Sequence, residues 1–170
     1  MVFKIIIALI SLNIIIEDFR YRSIHWLNIA ALVAAVILGI IFHAFIFQSQ
    51  DFLLNLSFLA IQYIALTLYF SIKQGCLINV TRAHIGSGDI MYLLVLSPVF
   101  SPTAYVIFTL GSLIIAILGV MMYQWRSGRI VHEIPLASFM AIWLIVSGAL
   151  VQLYPDVIAH SENLLALWTF

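Results

Sequence analysis

Apolar runs broken by short polar clusters fill the chain, and their lengths are those of helices rather than strands. Residues 2–17, 24–47, 52–72, 103–123 and 134–154 each form such a run. A helix needs ~20 apolar residues to cross the hydrocarbon of a bilayer, and these runs approach or exceed that length. A further run, residues 90–100, is too short alone and is interrupted by Ser97-Pro98. It reaches a full span only by starting near Thr81 and carrying Gly86-Ser87-Gly88-Asp89 inside the membrane region. The pattern predicts an all-α, polytopic transmembrane helical bundle of about six spans over residues 1–155. A short tail, residues 156–170, is too mixed to span and reads as an interfacial segment anchored by Trp168.

Composition supports lipid as the solvent for this exterior. Of 170 residues, 65% are hydrophobic and 8% charged, with a mean hydropathy of +1.18. A soluble domain carries roughly a quarter charged residues, so there is too little charge here for a water-facing surface. The net charge of zero excludes the electrostatic footprint of a nucleic-acid binder. The single cysteine, Cys76, excludes an internal disulfide, and the five histidines show no metal-binding spacing. No cofactor or metal is implied. Residues 1–16 follow the outline of a signal peptide, but Glu17-Asp18-Phe19-Arg20 arrives where a cleavage site belongs, so a retained first helix is expected.

Charge placement fixes the expected orientation. Arg20 and Arg22 fall between the first and second runs, Lys73 and Arg82 between the third and fourth, and Arg126 and Arg129 between the fifth and sixth. If the fourth helix spans, all six lie on one side, which the positive-inside rule assigns to the cytoplasm. Both termini then lie outside, with Lys4 the one basic residue opposite.

Two acidic residues carry the candidate chemistry. Asp18 ends the first helix, ~24 Å from its outer end, and Asp89 sits ~18 Å from the outer end of the fourth. Both therefore come near the cytoplasmic interface. Two carboxylates at one level can share a proton, because like charges a few ångströms apart do not both ionise. One then activates a water and the other protonates the departing group. Asp18 also fits a solvated boundary charge beside Glu17, Arg20 and Arg22, whereas an ionisable residue inside a span is by default a functional candidate. Glu17 lies on another helix face and is the weaker member of that pair of neighbours. His84 precedes the glycines and is a candidate for substrate contact or an incidental boundary residue. Asn13, Asn55 and Gln62 lie inside runs, where polar side chains serve helix–helix hydrogen bonds.

These residues resemble the type IV prepilin peptidase family. Asp18-Phe-Arg-Tyr-Arg-Ser-Ile24 is similar to that family's first motif, with Arg20 and Arg22 as its basic positions. Gly86-Ser87-Gly88-Asp89 matches its GxGD motif, and Glu133 to Ala141 resembles the Pro-containing stretch that opens its last span. The resemblance implies a GxGD-type membrane aspartic endopeptidase of the cytoplasmic membrane, with Asp18 and Asp89 catalytic and Gly86 and Gly88 supporting them. Its partners would be the bilayer and a prepilin or pseudopilin substrate, from which it removes a short basic leader. Larger members carry paired CxxC motifs linked to N-methylation, which this chain lacks, so the resemblance implies peptidase activity alone. The chain departs from the family's pattern at Ile24-His25-Trp26, usually Ile-Pro-Asn, and at Met91, often Lys.

Presenilin-like enzymes share GxGD but pair it with a Tyr-Asp dipeptide that does not occur here. A catalytically degenerate subunit of a pilus or secretion machine is the rival from another class. A small transporter would need broken helices in two similar halves, and only the fourth run looks broken.

Overall fold

Proline marks where helices stop in this chain: Pro98, Pro102 and Pro135 all fall at boundaries, where a missing N–H costs nothing. The computed structural model describes residues 2–76, 86–127 and 135–153. Among them it has six helices and no strand: α1 (Val2–Tyr21), α2 (Trp26–Ile41), α3 (Ser49–Gln74), α4 (Ser87–Leu96), α5 (Pro102–Ser127) and α6 (Leu136–Leu153). The α3 helix and the Pro102–Arg126 stretch of α5 are long and apolar enough to cross a membrane. Both turn large apolar side chains outward, among them Ile64 and Ile72 on α3 and Ile117 and Met122 on α5. Soluble monomers rarely leave contiguous apolar faces of this kind uncovered.

The α1 helix lies against α6 and α2, α6 against α5, α2 against α4, and α3 against α5 and α4. Glycines set the closest approach of α5 and α6. A Cβ on Gly111 would meet the Trp143 indole at 3.0 Å, and one on Gly119 would meet the Phe139 ring at 2.6 Å. The two glycines are two turns apart on one face, so the aromatic side chains lie flat where backbone is bare. Asn55 performs the interhelical bonding expected of it: its Nδ2 donates to the carbonyls of Ser97 and Phe100, each at 2.8 Å. That ties the start of α3 to the turn after α4. Asn13 on α1 likewise donates to Asn28 on α2 at 3.1 Å.

The α1 and α5 helices each run four residues past the ends that the apolar pattern predicts, to Tyr21 and Ser127, and two further boundaries differ in kind. The apolar run 24–47 is not one helix: α2 stops at Ile41, and His43 takes a left-handed φ of 54°. The N–H groups of His43 and Ala44 then return to the carbonyls of Ile40 and Gly39, at 3.0 and 2.8 Å. This is a complete Schellman ending with histidine where glycine is usual. Phe45 folds onto Gly39, whose missing Cβ makes room for its ring. Replacing His43 by glycine is expected to raise stability by about 0.5–1 kcal/mol, since relief of left-handed strain outweighs the extra chain entropy. Unfolding in mixed micelles reads the change, and a destabilised variant would refute it.

The second difference concerns α4. The helix that carries Asp89 begins at Ser87 instead of running through the glycines from Thr81, because Gly86 is extended (φ −62°, ψ 135°). Asp89 therefore stands in a first turn, with an open helix end beside it.

Candidate active site

Asp18 belongs to the last turn of α1, which runs on to Tyr21 and so holds the carboxylate inside the helix rather than in the connection after it. Its side chain is buried, at 6% exposure, which settles it against a solvated boundary charge. Oδ2 of Asp18 accepts the backbone N–H of Ser138 at 2.9 Å and its hydroxyl at 2.7 Å. Ser138 lies 120 residues later, in the first turn of α6.

Asp89 reaches the same turn from another side. Its carboxylate accepts the backbone N–H groups of Ala137 and Gly86, and Asp18 is near enough to influence it. The bond back to Gly86 is one half of a capping box, from the third helical position to the residue before the helix. Gly86 is bare because a Cβ there would sit 3.0 Å from Asp89 Oδ2. Gly88 is bare because a Cβ would lie 2.9 Å from Cδ1 and 3.4 Å from Cβ of Ile24. Ile24 closes the first acidic stretch, so that contact seats the start of α4 against the α1–α2 connection.

One helix end thus organises both acids. The first N–H groups of a helix have no partner within it and carry the positive end of its dipole. Pro135 offers no side-chain acceptor to α6, so the carboxylates from α1 and α4 serve Ser138 and Ala137 instead. These contacts bring the end of α1 to the starts of α4 and α6, and Phe139 against Gly119 brings the end of α5 there as well. Asn55 places the start of α3 at the far end of α4, so the end of α3 joins them too. Arg20, Lys73 and Arg126, each in the last turn of its helix, therefore occupy the end of the bundle that holds the two acids.

Other residues named from the sequence take local roles. Glu17 is separated from the pair, because its Oε2 accepts the His25 N–H at 3.0 Å and fixes the turn into α2. His25 caps α2, its Nδ1 accepting the Leu27 N–H at 3.3 Å. Arg20 lies over the Tyr21 ring, 5.3 Å from its centroid. Arg22 closes α1 in a left-handed conformation, φ 54°, its N–H bonded to the Asp18 carbonyl. Met91 is exposed. Two residues on from Asp89 it points to another helix face, so a cation there would not touch the carboxylate either. Arg82, His84, Arg129, Glu133 and the tail 156–170 lie outside the described residues. Among the described residues no three His, Cys, Asp or Glu side chains gather as a metal site would require.

Ser138 is the site residue that sequence reasoning missed. Its signal was faint: a serine three places after a proline that opens an apolar run. Two acids on one helix end, one buried and one half-buried, supply the elements of general acid–base hydrolysis. No family model, no curated protein and no solved structure matches this chain.

Proposed function

We propose that this chain is a membrane-embedded aspartic endopeptidase of the type IV prepilin peptidase kind. It removes the short basic leader of a prepilin or pilin-like pseudopilin at the cytoplasmic face. The observation that carries this reading is the convergence of Asp18 and Asp89 on the first turn of α6. Each acid comes from a segment that resembles a family motif, and Ser138 comes from the third.

In this reading about six helices cross the cytoplasmic membrane. The basic helix ends and the acids face the cytoplasm, and both termini lie outside. The short α4 fits such a bundle because the irregular backbone after it is buried and its carbonyls are satisfied by Asn55. Irregular backbone is tolerated at membrane depth under that condition. One carboxylate takes a proton from water as its oxygen attacks the scissile carbonyl carbon. The other acid then protonates the amide nitrogen as the C–N bond breaks. Basic helix ends beside a basic leader would repel it, so Arg20 and Arg22 serve headgroups and topology in preference to leader binding. The activity proposed is proteolysis without N-methylation.

The test is co-expression of the native chain with a type IV prepilin that carries its leader. Mobility and N-terminal sequencing of the product are expected to show cleavage just before the hydrophobic helix. An unprocessed prepilin would instead favour a catalytically degenerate subunit of a pilus or secretion machine.

A further inference from the structure

Ser138 is fully enclosed, yet it directs both of its donors at one oxygen of another helix. The hydroxyl also lies 3.4 Å from the Ile15 carbonyl, but it has a single proton to give. The nearer carboxylate oxygen, at 2.7 Å, takes it. Because the backbone N–H can only donate, Oδ2 of Asp18 is the acceptor in both bonds. We propose that Ser138 is a positioning residue for the carboxylate pair: it clamps Oδ2 of Asp18, fixes the carboxyl plane, and leaves Oδ1 as the oxygen that exchanges protons.

The argument is one of rotation. A carboxyl group turns broadly about its last torsion, and the Ser138 N–H alone would hold one oxygen without fixing the plane. The hydroxyl adds a second direction to the same atom. The α6 turn meanwhile holds Asp89 through the Ala137 N–H, so one rigid turn sets both acids relative to each other. Catalytic groups lose much of their rate advantage when displaced by about 1 Å.

This inference rests on the aspartic-peptidase reading, and its test separates the two. Ser138→Ala keeps the helix and the N–H bond and removes only the hydroxyl. It is expected to lower kcat by roughly 10–100-fold with KM unchanged, and Ser138→Thr is expected to restore most of the rate. An unchanged kcat, or a loss confined to KM, would overturn the clamp. A second measurement needs no turnover: infrared spectra of purified protein with isotope-labelled aspartate. The carboxylate band lost in Asp18→Asn is expected to shift in Ser138→Ala. A band that stays in place overturns the inference whether or not the native chain cleaves prepilin. A shifted band in a chain that cleaves nothing supports the clamp and overturns the peptidase reading.

Discussion

Asp18→Asn and Asp89→Asn are each expected to lower prepilin cleavage by roughly four orders of magnitude, the scale seen when one member of a cooperating catalytic set is lost. Asparagine is nearly isosteric with aspartate, so the fold has little reason to respond. An amide oxygen at position 18 still accepts the Ser138 N–H and hydroxyl, and one at position 89 still accepts the Ala137 and Gly86 N–H groups. What disappears is a group able to take up and release a proton at either place. Unfolding curves of both variants are therefore expected to overlay the native curve while processing falls to background. The double variant is expected to be no slower than either single one, since the acids act as a unit. Processing that survives either substitution would remove the catalytic pair from consideration.

Asn55→Leu is expected to cost about 2–4 kcal/mol of stability. Asn55 is 1% exposed and holds two carbonyls of the irregular segment after α4. A buried acceptor that loses its donor costs about 1–3 kcal/mol, and two are orphaned at once. Average interhelical hydrogen bonds in membranes are worth less, because the unfolded chain finds other partners. Ser97 and Phe100 differ in that they lie beyond the last residue of α4 and before the first of α5, so the Asn55 amide replaces a helical donor there. Asn55→Asp is expected to be worse than leucine, since it brings carboxylate oxygens against the same two carbonyls. Unfolding by sodium dodecyl sulfate in mixed micelles gives the ranking. A leucine variant within 0.5 kcal/mol of native, a change typical of inert surface positions, would contradict the argument.

Helix number and order were legible because apolar runs and punctuating prolines leave few ways to divide this chain. Asp89 stood out because a carboxylate inside an apolar run has no structural excuse. Asp18, beside Glu17, Arg20 and Arg22, fits a boundary charge as well, and only its burial decides otherwise. The end of α2 was hidden because Phe42 to Phe47 continues the apolar run, and histidine is not the residue a left-handed turn announces. The start of α4 was misjudged because glycine permits both a helical interior and an extended boundary. Only the contact with Ile24 and the bond back from Asp89 choose between them. Ser138 was out of reach, because serine is common inside apolar helices, where it usually bonds to its own backbone as Ser112 and Ser147 do here. Its partner is 120 residues away, and no local pattern encodes that distance.

The first turn of α6 is capped by side chains from α1 and α4 and not by its own neighbours, and this orders the birth of the molecule. A ribosome delivers both acids long before it delivers the turn that gathers them. Until α6 has formed, the nascent chain carries both carboxylates without the N–H groups that gather them. On the proposed reading, hydrolysis would begin only once α6 has joined the bundle.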